Sequence, residues 1–298
     1  MRAGNSFKDA RQLETTSTCR AASFVQFMVG EPQKIEADGT RTWIARGANF
    51  VVAVSLMEEG SELLQEDVPD ESMVLLSPDV QVTIAAGDVT ETIGEEALAI
   101  LPPRSARLVA VRPGIIVRIF SSAAVQFAEL AANAAAYRDV RDVAPLEYWP
   151  EPDHGYKLRV YRLGDYTEDV GFGRIFRSTN LMINIFEPAA SPRDLSRLSP
   201  HDHTDFEQGS LTLVGDFVHY LRTPWGPDRS HWRDDEHRQC CDVSLMVIPP
   251  GMIHTTSWST AGARLVDIFA PPRVDFSSKA NWVRNASDYP SPAEHRVT

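Results

Sequence analysis

The residues best suited to chemistry in this 298-residue chain are His201, His203 and His254, with Glu207 and Gln208 as oxygen donors beside them. His201 and His203 are two apart, so in an extended strand both imidazoles leave one face and can grip a single ion. His254 sits at the end of a second strand, behind the turn Pro249-Pro-Gly251, and closes the same site if the strands are neighbours. Three imidazole nitrogens and one oxygen suit Fe, Ni, Zn, Cu or Mn and leave room for water or substrate. His154, His231, His237 and His295 lack ligand spacing to another donor and read as structural or exposed.

The stretch from Ser199 through His201-Asp-His203 to Gly215-Asp216, with Pro249-Pro-Gly-Met-Ile-His254 downstream, resembles the paired motifs of the cupin superfamily of RmlC-like barrels. The first motif has the form His-x-His, three or four residues, Glu, six residues, Gly; the second is Pro-x-Gly-x-x-His. The resemblance places His201, His203 and His254 on the family's metal-ligand positions. It leaves the fourth ligand open between two residues. Three residues after His203 comes Glu207, with seven rather than six residues before Gly215; four residues after comes Gln208, which restores the six. Ligand chemistry favours the Glu207 carboxylate. Spacing favours Gln208, and some sugar-acid-processing cupins use Gln there.

Parity along the strands decides what else faces the ion. Gly215-Asp216 reads as a two-residue hairpin turn pairing Val214 with Phe217 and Leu213 with Val218. If Glu207 points inward, Leu211, Leu213, Val218, Tyr220 and Arg222 share its face; Arg222 is then an interior cation for a substrate carboxylate and Tyr220 a proton donor. If Gln208 points inward, Thr212 and His219 share its face, and His219 becomes the acid/base candidate. The competing reading of Arg222 is an outward salt bridge. The polar stretch between Arg222 and Val243, with Trp225 and Trp232, reads as a loop that covers a cavity mouth or makes a packing contact.

The elements that must position these residues are short and β-branched. Phe50–Leu56, Met73–Leu76, Val80–Ile84, Ala97–Leu101, Arg107–Val111 and Gly114–Phe120 form one series; Tyr156–Tyr161, Leu181–Phe186, Leu211–Val214, Phe217–Leu221, Ser244–Ile248 and Arg264–Phe269 form a second. Ala-rich composition predicts a helix over Ser122–Asp139 before a Pro-rich linker, Ala144–Pro152. Phe24–Val29 reads as an added edge strand, and Ser277–Thr298 as a polar tail that wraps or frays. The two series are weak internal repeats. Ala99–Arg107 parallels Met246–His254, putting Arg107 where His254 stands, and Ile116–Phe120 parallels Leu265–Phe269. The first copy has no histidine. The expected organisation is therefore all-β, two cupin-type barrels: an extension over 1–45, a degenerate barrel over 46–121, helix and linker over 122–152, a metal-binding barrel over 153–275 and a tail over 276–298.

Hydrophobic residues at 43% and charged residues at 23% are ordinary for a soluble globular chain, and a net charge of −12 without a Lys/Arg stripe argues against nucleic acid. No apolar run is long enough to span a membrane, and the N-terminus lacks a secretory apolar region, so a cytoplasmic protein is expected. Cys19, Cys240 and Cys241 have no disulfide-framework or zinc spacing. The family resemblance implies one divalent transition metal and a small, anionic substrate, with isomerase or lyase chemistry on an oxygenated or sugar-acid-like carboxylate. It equally implies a non-haem metal dioxygenase, and it implies a homodimer; a third reading, a non-catalytic ligand-binding bicupin, is consistent with the histidine-free first barrel.

Overall fold

The computed structural model describes residues 19–167 and 170–292. Residues 1–18 of the expected extension, and 293–298 of the tail with His295, lie outside the described residues. The described chain forms four antiparallel sheets. A seven-stranded sheet orders Arg159–Arg162, Ala97–Leu101, Ser72–Leu76, Gly114–Ser121, Phe50–Met57, Arg41–Arg46 and Lys34–Ile35, and is covered by a four-stranded sheet of Glu62–Val68, Arg104–Arg112, Gln81–Ala86 and Val89–Ile93. A six-stranded sheet orders Ser23–Gln26, Ser244–Ile248, Gln208–Val214, Arg264–Phe269, Met182–Ile185 and Arg174–Arg177, opposite a three-stranded sheet of Glu236–Cys240, Phe217–Arg222 and Ile253–Trp258. No described helix is long and apolar enough to cross a membrane.

The central strands read as unbroken apolar runs because both of their faces are buried. Val52, Val54, Leu75, Val117 and Ile119 of the first large sheet pack against Leu211, Leu245, Val266 and Ile268 of the second in one cluster. The two large sheets are thus back to back. Residues of the other parity, among them Val74, Ile116, Leu63, Ile84 and Leu108, fill the first barrel. Arg107 keeps the place in register that His254 holds, opposite Leu64 as His254 is opposite His201. Its side chain, however, points outward to Glu62, and Leu108 takes the interior.

The outermost strands of the two large sheets are exchanged. Ser23–Gln26, from the N-terminal segment, pairs with Ser244–Ile248 of the second barrel, while Arg159–Arg162 pairs with Ala97–Leu101 of the first. The strand expected near Phe24 therefore exists, but on the far barrel.

Three sequence expectations are corrected. Ser122–Asp139 is not one helix: it holds a single turn at Val125–Ala128, with no side-chain cap, and a 3-10 turn at Ala134–Tyr137. Tertiary contacts override alanine propensity there. Phe127 stacks on Phe120 at 4.4 Å, and Asn133 leaves the helix path to exchange hydrogen bonds with the Arg46 backbone at 2.9 and 2.8 Å. Secondly, Gln208–Val214 and Phe217–Arg222 do not pair across Gly215; each joins a different sheet, so the turn is a barrel corner. Gly215 has φ +97° and a Cβ there would meet Ala263 Cα at 3.1 Å, so no other residue fits without strain. Thirdly, part of the expected 222–243 loop is the strand Glu236–Cys240.

The repeat extends beyond the strands. Asn285 exchanges hydrogen bonds with the Arg177 backbone at 3.0 and 2.9 Å, as Asn133 does with Arg46, and the Arg284 N–H reaches Ile175 O as the Ala132 N–H reaches Ile44 O. The tail therefore wraps as far as Tyr289, whose hydroxyl donates to Glu71. Replacing Asn285 with Ala strands two buried backbone groups. The expected loss is about 2–4 kcal/mol in urea unfolding, with a smaller loss for Asn133→Ala, whose site is half-exposed.

Candidate metal centre

The segment carrying the first two histidines is tied to the segment carrying the third by main chain. His201 N donates to His254 O at 3.0 Å and His254 N to His201 O at 2.8 Å, and Gly251 N donates to His203 O. A hydrogen-bonded antiparallel pair holds its side chains on one face. The ring centroids of His201 and His254 lie 4.3 Å apart, and those of His203 lie 5.1 and 5.2 Å from the two. One nitrogen from each falls within 4.8 Å of the others.

The donor set fits a divalent ion. His201 Nδ1 faces Ser199 O and His254 Nδ1 faces Met252 O, both at 2.9 Å, so each Nδ1 carries the proton and each Nε2 keeps its lone pair. His254 Nε2 is buried with no partner among the described residues. Burial pushes His203 down to about 3 and His254 down to about 4, which keeps both neutral as ligands must be. His203 Nε2 lies 3.0 Å from Gln208 Oε1. Two donors at right angles on one ion, each about 2.1 Å from it, are separated by about the same distance.

Gln208 is oriented from behind. Its Nε2 donates to Ser210 Oγ at 3.0 Å and to Asp267 Oδ1 at 3.1 Å, which turns the carbonyl oxygen toward the histidines. Burial raises the Asp267 carboxyl to about 7. Glu207, the residue favoured by ligand chemistry, is turned the other way. It accepts the Ala48 N–H at 2.6 Å and an ion pair from Arg20, which also binds Asp142. Glu71, which precedes Ser72 opposite Leu101 as Glu207 precedes Gln208 opposite Ile248, accepts the Thr179 N–H at 3.1 Å, crossing the junction in the opposite sense. The Glu207 carboxylate is a fastener between barrels.

No family model matches the chain, and no curated protein matches it. Solved structures do. The protein Ylba from E. coli superposes with TM-score 0.57 at 12% identity over 88% of this chain and 96% of that one. Oxalate decarboxylase from Lactobacillus farciminis, in complex with formate, gives 0.55 at 12% identity over 86% and 89%. Procruciferin, an 11S globulin of Brassica napus, gives 0.52 at 9% identity over 85% of each chain. The chain has the bicupin fold. At such identities the likeness is of fold alone, shared by proteins with different roles.

Within the second cupin barrel, parity follows Gln208. Thr212 and His219 point inward and are fully buried. His219 Nδ1 lies 2.9 Å from Thr256 Oγ1, its Nε2 is buried without a partner among the described residues, and burial holds it down at about 3. Tyr220 and Arg222 face out. Tyr220 hydrogen-bonds Ser257 at 3.2 Å, and Arg222, 65% exposed, pairs with Asp235 at 2.5 Å. The interior cation expected of Arg222 is absent from the cupin interior because one step along the strand reverses its face. Trp225 and Trp232 stack on each other at 4.3 Å. Trp232 lines a cavity of about 410 Å³ with Cys19, Arg20, Ser230, His231 and Arg233, none of them in the histidine cluster.

Two residues near the cluster carry no motif. Arg273 lies over the rings of Phe206, Phe269 and Phe276 at 4.9, 4.9 and 3.8 Å, and Phe206 stacks on His203 at 4.5 Å. Its charge contributes to lowering His203 and His254. Asp267 had a readable signal, a lone acid in the apolar strand Arg264–Phe269. Arg273 had none, since it follows the last strand in an irregular turn.

His219 makes metal-free protein acid-sensitive. An unfolded imidazole takes a proton below about 6.5, whereas the buried one resists to about 3, so stability is complete above pH 6.5 and falls toward pH 3 by about 1.4 kcal/mol per unit for this group. His219→Gln should remove one proton from the slope of urea stability against pH between 6.5 and 4; an unchanged slope would show that His219 is protonated in the fold.

Proposed function

We propose that this bicupin is a metal-dependent enzyme acting on a small oxygenated carboxylate, as an isomerase or lyase. The observation carrying this reading is the convergence of three imidazole nitrogens, those of His203 and His254 buried, with the Gln208 carbonyl oxygen beside His203. A divalent ion held by His201, His203, His254 and Gln208 would supply Lewis acidity undiminished by any carboxylate ligand. Neutral donors leave the site's positive charge uncompensated, and Arg273 adds to it. An anionic substrate is the complement.

His219 supplies the base. It lies diagonally across the strand pair from His254, since His219 pairs with Thr256 and His254 with Leu221, and its Nε2 is buried without a partner among the described residues. Thr256 fixes the ring, and in the tautomer whose Nδ1–H donates to Thr256 Oγ1, Nε2 keeps the lone pair that can take a proton from carbon or hydroxyl next to a bound carboxylate. The formate-bound decarboxylase among the similar structures acts on a small carboxylate, which supports the substrate class.

Elemental analysis of protein purified without chelator should give about one Fe, Ni, Zn, Mn or Cu per chain. His201→Ala, His254→Ala and Gln208→Ala should lose most of it, while Glu207→Gln keeps the metal and loses stability. Retention in Gln208→Ala with loss in Glu207→Gln would reverse the ligand assignment.

Screening small hydroxy, oxo and dicarboxylic acids under argon should reveal turnover that survives without oxygen, with kcat reduced about 10²–10⁴-fold in His219→Gln. A strict need for O₂ would point to a dioxygenase instead, and tight binding without product to a ligand-binding barrel.

A further inference from the structure

The first barrel holds a cation whose N–H groups no described neighbour accepts. Arg118, in the strand Gly114–Ser121, is wholly buried, and Nε, Nη1 and Nη2 all lack hydrogen-bond partners among the described residues. A guanidinium stays charged in proteins, and an enclosed charge without hydrogen bonds is among the costliest groups a fold can contain. The rings of Phe120 and Phe127, 5.6 and 5.5 Å from its Cζ, attract the cation but cannot accept its N–H groups in the plane of the guanidinium. Glu36 attracts it electrostatically and lies 2.7 Å from Lys34, but makes no hydrogen bond to the guanidinium.

The position has a counterpart. In the repeat, Arg118 stands where Asp267 stands, in Ile116–Phe120 against Leu265–Phe269. Phe120 and Phe127 correspond to Phe269 and Phe276, the rings over which Arg273 lies beside the histidine cluster. Both barrels thus place a guanidinium over the equivalent ring pair, but in the first no histidine is present. Small residues flank it in the sheet: Ala53 is directly opposite Arg118, and Ala99 is opposite its other neighbour, Val74.

We propose that the first barrel is an anion site, in which Arg118 serves as a built-in cation for one small monoanion, a carboxylate of one or two carbons or a halide. A carboxylate can take two parallel hydrogen bonds from one guanidinium edge, matching donors that are otherwise idle. The site needs no metal and does not rest on the enzymatic reading of the second barrel.

Sodium formate titrated at constant ionic strength into chelator-treated full-length protein tests this, read by calorimetry and thermal unfolding. One saturable site per chain is expected, with Tm raised by roughly 4–8 °C at a hundred times Kd. The response should persist in His201→Ala/His254→Ala protein and vanish in Arg118→Met. A response that survives Arg118→Met, or that disappears in the histidine variant, would overturn the proposal, as would no saturable response at all. Should Arg118→Met fail to fold, crystals of the wild-type protein soaked in bromide decide: an anomalous peak within hydrogen-bond reach of the guanidinium upholds the site, and water alone there rejects it.

Discussion

The structure depends on a reciprocal exchange across the junction of the two barrels. Glu207, ahead of one central strand, reaches over to the Ala48 N–H; Glu71, ahead of the matching strand, reaches back to the Thr179 N–H. A buried carboxylate left without donors would cost several kcal/mol, so each acid fixes the barrel that carries it against the barrel that satisfies it. Arg20 and Asp142 complete the charge balance on one side, and Tyr289 and Thr179 supply donors on the other. Because strand parity is strict, committing Glu207 to the junction commits Gln208 to the interior. The composition of the candidate metal centre follows from an interface residue.

That choice governs the electrostatics of the second barrel. Were a divalent ion bound beside the histidines, an acid facing it from this position would neutralise half of its charge, whereas an amide would leave it whole. The polar atoms behind the amide, Ser210 and Asp267, keep the carbonyl aimed at the histidines. Orientation and neutrality are then supplied by different residues, one shell apart.

Much of this was legible in the sequence, because metal chelation and strand alternation leave short, regular signatures. The His201, His203, His254 grouping, the two β-series and the parity alternatives all follow from local spacing. What spacing could not settle was which of Glu207 and Gln208 faces inward, since the deciding partner, Ala48, lies in the other barrel. The Ala-rich segment misled for a related reason: Asn133 and Phe127 are held by distant strands, and propensity carries no information about them. Tyr220 and Arg222 were candidates only on the parity that the junction forbids. Arg273 belongs to an irregular turn whose position is set by rings that precede and follow it.

The exchanged edge strands bear on the order in which the molecule can be made. Ser23–Gln26 leaves the ribosome long before its partner Ser244–Ile248. The earlier strand must wait, unpaired, while the segments of both barrels between them are made, and it docks only when the second barrel has formed. This closure is therefore a late, long-range event that joins distant parts of the chain, of the kind that makes folding slow.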